Sequence, residues 1–257
     1  MEISFFKYQG TGNDFVMIDD RMTAFDLSDL DLVSRLCDRR FGIGADGLIL
    51  IRKHPDFDFE MIYFNADGSQ SMCGNGARCA VAFADYLEII SSKTNFLAID
   101  GPHEAILKSG LVQLKMSDVS ILEERGNDLF IHTGSPHHIR FVDKVTDYAV
   151  FERGKEVRYD QAYSPGGTNV NFVEKIGVNE LFVRTYERGV EDETLSCGTG
   201  VTAAAIAFGR NQPQQNIKIN TLGGELSVKF RSQPDGTFND IWLTGPAEQV
   251  FEGKINI

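Results

Sequence analysis

Apolar and polar positions alternate through Ile3-Ser4-Phe5-Phe6-Lys7-Tyr8 and again at residues 15–19. The chain therefore opens as two strands joined by the turn-forming Gln9-Gly10-Thr11-Gly12-Asn13-Asp14. Leu32, Val33 and Leu36 then form a stripe at helical spacing. Ser28, ahead of Asp31, is placed to cap that helix, which runs to about Arg39 and carries Cys37 as a packing residue. Strand patterns return at residues 48–51, 57–64, 96–99, 104–107 and 111–116. After a break at Ser117-Asp118 they continue at 129–132, 138–142, 169–173, 181–186, 217–220, 225–230 and 241–243. Two segments depart from alternation. Residues 77–87 and 201–208 are rich in Ala and apolar around nearly the whole circumference, the pattern of a helix buried on most sides.

Each half of the chain thus holds one buried helix among many strands, an α+β arrangement that reads as a diverged duplication with its boundary at Ser117-Asp118. Both buried helices are entered through the same device, Cys73-Gly74-Asn75-Gly76 in one half and Cys197-Gly198-Thr199-Gly200 in the other. Two such domains packed face to face would bring both helix N-termini, each with its cysteine, to one cleft. A third glycine-rich piece, Gly42-Ile43-Gly44-Ala45-Asp46-Gly47, fits G-x-G-x-x-G but follows a helix and leads into a strand. That is the reverse of the order a dinucleotide site needs, so it reads as a turn.

Composition narrows the class. At 257 residues, with 42% hydrophobic and 24% charged positions, the chain has enough apolar material for one large or two small cores and is not a disordered polymer. A formal net charge of −12 argues against a nucleic-acid or anionic-membrane partner. The N-terminus lacks a basic segment followed by a long apolar run, and no uncharged apolar stretch approaches the roughly 20 residues of a membrane span. The expected compartment is the cytoplasm. Cys37, Cys73, Cys79 and Cys197 show no Cys-x-x-Cys spacing and read as free thiols, with Cys79 in the core. The five histidines show no zinc spacing, so no metal is expected.

A thiol at a helix start is a candidate for reactivity, because unsatisfied amides and the positive end of the helix dipole favour the thiolate. Two such thiols suit inversion of a carbon centre: one takes a proton from one face while the other donates to the opposite face. Cysteine, with an ordinary pKa of about 8.5, holds either form near neutrality. The costly intermediate is a carbanion beside a carboxylate, and amides at a helix N-terminus would stabilise its growing charge. The glycines after each cysteine, Gly74, Gly76, Gly198 and Gly200, are read as allowing close approach of a ligand. His137, beside Pro136 in a loop, is a candidate base for a thiol; adjacent His137 and His138 cannot both point into one site from a strand. Arg188 would bind a carboxylate through its planar fork, and Glu187-Arg188 reads equally as a solvated charge pair.

These residues resemble the diaminopimelate epimerase family. The likeness runs through Gly12-Asn13-Asp14-Phe15, the Gly42 to Gly47 turn, Phe64-Asn65-Ala66-Asp67-Gly68-Ser69, the Cys73 to Cys79 motif, Gly134-Ser135-Pro136-His137, Thr168-Asn169-Val170, Tyr186-Glu187-Arg188-Gly189 and Cys197-Gly198-Thr199-Gly200. The resemblance implies two pseudo-symmetric domains, each a mixed β-sheet or barrel wrapped around a central helix, spanning 1–116 plus 246–257 and 117–245, with the active site in the cleft between them. It implies interconversion of LL- and meso-diaminopimelate for lysine and peptidoglycan precursors, no cofactor, and a homodimer. Cys73 and Cys197 would be the acid/base pair, assisted by His137 and Glu187. Gly74, Asn75, Gly198 and Thr199 would hold the reacting carboxylate by backbone amides, and Asn13, Asn65, Asn169, Glu187 and Arg188 would contact the substrate. Two positions depart from the commonest pattern: many members have Asn at Ser135, and some have Gln at Gly47. A racemase of proline, hydroxyproline or histidine using the same thiols, and a thiol-redox protein working through a Cys73-Cys197 disulfide, are the competing readings.

Overall fold

A computed structural model describes residues 2–256 of the chain, which divide into two compact units, one drawn from residues 2–114 and 245–256 and the other from 115–244. The first contains β1 (Glu2–Gly10), β2 (Asn13–Asp19), α1 (Leu30–Cys37), β3 (Gly47–Arg52), β4 (Phe59–Asn65), α2 (Gly74–Tyr86), β5 (Lys93–Ala98), β6 (Gly101–Lys108) and β7 (Leu111–Lys115). The second contains β8 (Leu122–Arg125), β9 (Asp128–His132), β10 (Pro136–Phe141), α3 (Val150–Arg158), β11 (Asn169–Gly177), β12 (Glu180–Glu187), β13 (Asp192–Thr194), α4 (Gly198–Gly209), β14 (Gln214–Thr221), β15 (Gly224–Ser232) and β16 (Phe238–Pro246). The chain ends on β17 (Glu248–Asn256), which lies in the first unit, antiparallel to β1.

Strand pairing follows one scheme twice. In the first unit β17, β1 and β2 are antiparallel neighbours, β2 and β3 are parallel, β3 and β4 antiparallel, β4 and β5 parallel, and β5, β6 and β7 antiparallel. In the second, β8, β9 and β10 are antiparallel, β10 and β11 parallel, β11 and β12 antiparallel, β12 and β14 parallel, and β14, β15 and β16 antiparallel. Each parallel step needs a crossover, and the helices occupy those crossovers: α1 and α3 the first of each unit, α2 and α4 the second. The fold is α+β, a mixed sheet with few helices.

The second crossover helix is the core of its unit. Along α2, Ala77, Cys79, Ala80, Val81, Phe83 and Ala84 are buried, and the helix touches β1, β2, β3, β4, β6 and β17. Along α4, Val201 and the run from Ala203 to Ala207 are buried against β9, β10, β11, β12, β14 and β15. Alanine has the strongest helix propensity and the smallest side chain that still buries a methyl, so an Ala-rich helix forms readily and lets strands approach from every side.

Three local expectations change. The cap of α1 is Asp29, whose carboxylate accepts from the Leu32 amide, because Ser28 spends its hydroxyl on Asp26. That helix stops at Cys37, short of Arg39, where the Asp38 carboxylate takes the amides of Arg40 and Phe41 and turns the chain. His137 and Pro136 lie in β10, with no loop at that point. Helix α3 escaped the pattern because no side chain caps it and Gly154 sits at its middle; a Cβ there would come within 2.3 Å of Tyr186, so the glycine seats the helix against β12.

Candidate active site

In the first unit the site is built around the start of α2. Cys73 is its N-cap, extended at φ −129°, and its sulfur accepts from the Gly76 amide at 3.5 Å. The helix therefore presents its unsatisfied amides beside the thiol. The turn between β1 and β2 brings Asn13 to the same place. Its Oδ1 lies 3.5 Å from the Cys73 sulfur and 3.4 Å from Asn75 Nδ2, while its Nδ2 donates to Asp46 at 2.5 Å. Asp46 comes from the Gly42–Gly47 turn, so that turn orients a site residue.

Behind Asn13 lies an ion cluster. Asp14 receives both Arg39 and the buried Lys7. Burial alone would raise the Asp14 carboxyl, but hydrogen bonds from Arg39 and Lys7 bring it down to about 2. Arg78, one turn into α2, is fully buried and donates to Asn75 Oδ1 at 3.0 Å, Thr11 Oγ1 at 3.1 Å and the Pro246 carbonyl at 3.3 Å. Its guanidinium is also in coulombic contact with Cys73 and Cys79. Cys79, fully buried, is pushed up to about 12 by burial, as Cys37 is; both are inert packing thiols.

The second unit repeats the arrangement with different partners. Cys197 is the N-cap of α4, extended at φ −118°, and its sulfur lies 3.5 Å from Thr199 Oγ1. Thr199 Oγ1 is 2.9 Å from His137 Nε2, and Thr133 donates to the Thr199 carbonyl at 2.9 Å, tying the start of α4 to β10 and to the end of β9. Asn169 donates to Ser135 Oγ at 2.8 Å and to the Pro136 carbonyl at 2.9 Å, and it accepts from the Arg188 amide at 2.9 Å. The Arg188 side chain is exposed, with no carboxylate partner among the described residues. Burial depresses His137 to about 3, helped by His132 and Arg188, so its ring is neutral.

The diaminopimelate epimerase family model matches residues 5–115 and 129–250. A diaminopimelate epimerase of Flavobacterium psychrophilum is 51% identical, over 97% of this chain and 99% of its own length. The chain belongs to the diaminopimelate epimerase family. The family's Aquifex aeolicus member is 39% identical, over 99% of this chain and 98% of its own. Among solved structures, a Bacillus anthracis protein of the PhzF family superposes at a TM-score of 0.77 with 12% identity, over all of both chains. A hydroxyproline epimerase from Agrobacterium vitis superposes at 0.72 with 13% identity, over 99% and 92%. Both share the fold.

Within this member of the family, the two expected groups of residues do not behave alike. Asn13 meets the Cys73 sulfur, and Asn75 bonds to Asn13. Asn65 does not: its side chain is held in its own loop by Tyr63, Ser69 and Ser71. Glu187 ends β12 and accepts from Thr194 at 2.9 Å. Position 47 has no room for a longer residue, because a Cβ on Gly47 would fall 2.4 Å from the Tyr63 ring and 2.5 Å from the Phe64 carbonyl. Two of the glycines read as ligand clearances serve packing instead. A Cβ on Gly76 would meet Ile49 at 3.0 Å, and one on Gly200 would lie 2.3 Å from Asn171 Oδ1. Sequence reading passed over Asp46, Tyr63 and Asn171. Asn171 was signalled by its position two residues after Asn169, on the same face of the strand. No group of three or more His, Cys, Asp or Glu side chains forms a metal site among the described residues.

Proposed function

We propose that the chain interconverts LL- and meso-diaminopimelate, moving the α-hydrogen as a proton between Cys73 and Cys197. The observation that carries the reading is the pair of cysteine N-caps, each at the start of the buried helix of its unit. Inversion needs a base for one face of the α-carbon and an acid for the other, and one thiolate with one thiol supplies both. The electron pair left on the α-carbon spreads onto the adjacent carboxylate, whose oxygens would be held by the backbone amides of Gly74-Asn75 and Gly198-Thr199. In this reading Asn13, Asn65 and Asn169 take polar groups of the substrate, and Arg188 takes its distal carboxylate. His137 and Glu187 support the thiols. The pair of thiols accounts for both proton transfers, so the reading calls on no cofactor. It places the enzyme in lysine and peptidoglycan precursor synthesis, in the cytoplasm, as a homodimer.

The test is solvent deuterium incorporation at the α-carbon of LL-diaminopimelate under reducing conditions. Exchange is expected in the unmodified protein, and replacing either thiol, Cys73→Ala or Cys197→Ala, is expected to lower it by about a thousandfold. Turnover of proline or hydroxyproline with none of diaminopimelate would refute the substrate; exchange surviving both substitutions would refute the thiols.

A further inference from the structure

Asn171 makes every hydrogen bond its side chain can direct inward, and the pattern admits only one orientation. Its Nδ2 lies 3.1 Å from the His138 carbonyl, which only accepts, and its Oδ1 lies 2.9 Å from the Thr185 hydroxyl. Turning the amide over would set two oxygens against each other. The second hydrogen of Nδ2 therefore points at His137 Nδ1, 3.1 Å away, and that nitrogen must be the unprotonated one. The ring is fully buried and neutral, so its proton resides on Nε2 and is donated to Thr199 Oγ1 at 2.9 Å. Accepting from the imidazole leaves the Thr199 hydroxyl its own hydrogen to give, and the Cys197 sulfur lies 3.5 Å away. A sulfur that receives a hydrogen bond is favoured as thiolate. The charges acting on the ring, His132 and Arg188, both disfavour a proton there and leave the direction of the chain of bonds unchanged.

We propose that Asn171 is a positioning residue that sets the His137 tautomer and so aims the Thr199 hydroxyl at Cys197, holding Cys197 as a thiolate before substrate arrives. Its proton leaves to solvent. Asn171 touches neither sulfur nor substrate; it acts through two intervening side chains. The inference rests on Cys197 being one of the acid–base pair and goes beyond that reading by naming which form this thiol takes at rest.

Thiolate absorbance in the ultraviolet tests it. In a Cys73→Ser background Cys197 is the thiol that ionises below pH 10, since burial holds Cys37 and Cys79 up at about 12. The expected midpoint for Cys197 lies below the ordinary value of about 8.5. Adding Asn171→Asp reverses the tautomer, because a carboxylate only accepts and so favours the ring proton on Nδ1, and raises the midpoint by about one unit. Thr199→Val, which keeps shape and loses the hydroxyl, raises it likewise and tests the chain even where Asn171→Asp fails to fold; Thr199→Ser restores it. A midpoint at or above 8.5 in the Cys73→Ser parent, or one unmoved by Thr199→Val, overturns the proposal. Exchange measured on Cys197→Ser separates the two levels: full exchange there defeats the role of the thiol, whereas lost exchange with an unmoved Thr199→Val titration defeats the relay alone.

Discussion

Gly200 has no side chain because Asn171 needs the space. A methyl at that position would stand 2.3 Å from Asn171 Oδ1, well inside contact distance, and the amide that orients His137 would have to move. Gly200→Ala is therefore expected to lower stability by about 1–3 kcal/mol, read from the urea midpoint. Combining it with Asn171→Ala should recover part of that loss, since the second change removes the colliding atom and the two effects are coupled. Additive losses would show that the strain lies elsewhere. This is a residue whose type was legible and whose reason was not. Gly-x-Gly after a cysteine suggests clearance for a ligand, but whether the missing Cβ faces substrate or a neighbouring strand depends on which strand lies beside it. Gly47 makes the same point, with the Tyr63 ring lying where a longer side chain would go. Cysteine at both helix starts needed no tertiary information, because capping and the dipole are properties of a few consecutive residues.

At the scale of the element, α2 buries one charged side chain, and that side chain is connected to the thiol. Arg78 sits fully buried in the first turns, paired with oxygens of Asn75, Thr11 and Pro246, and its positive charge acts on Cys73. Arg78→Met keeps most of the volume and removes the charge. The expected outcome is a rise of about one unit in the Cys73 titration midpoint, followed by thiolate absorbance in a Cys197→Ser background. An unchanged midpoint would leave Arg78 as packing only. Helix α4 has no such cation; its cysteine is served from β10 and β11 through Thr199 and His137. Two helices that begin with the same motif are thus supported by different chemistry. The motif itself, repeated at matching points of the chain, made the buried helices readable in advance, as did their Ala content. Helix α3 was not readable, because no side chain caps it and a glycine, seated against Tyr186, stands at its middle.

For the whole molecule, acid is the direction of instability. His137 and His138 are depressed from 6.5 to about 3 and about 4, in each case chiefly by burial, which for His138 outweighs the neighbouring Asp128. Between pH 6.5 and those values the unfolded chain binds protons that the native one refuses, so the stability these rings contribute is whole above 6.5 and is lost as the pH falls. Asp14 adds to this lower down: held at about 2 against an ordinary 3.8, it favours the native state above 3.8 and ceases to do so as the pH drops towards 2. Urea midpoints should fall steadily from pH 6.5 to 4, the unfolding free energy behind them dropping by up to about 1.4 kcal/mol per pH unit for each buried ring. Replacing His138 with Gln should flatten that slope. A pH-independent midpoint across this range would contradict the burial of both rings.

Most of the strands, the two buried helices, the two thiols at their starts and the family followed from sequence alone, because they depend on periodicity, local propensity and short motifs; α3, β8, β13 and β17 did not. Asn171 above His137, Asp46 behind Asn13, the capture of Asn65 by its own loop and the closed space over Gly47 were decided by the tertiary structure. Each of these joins residues from separate strands or turns, and which side chains meet depends on strand order and register, which no local pattern contains. The sequence marked the thiols; the packing of strands around each helix determined what each thiol is bonded to.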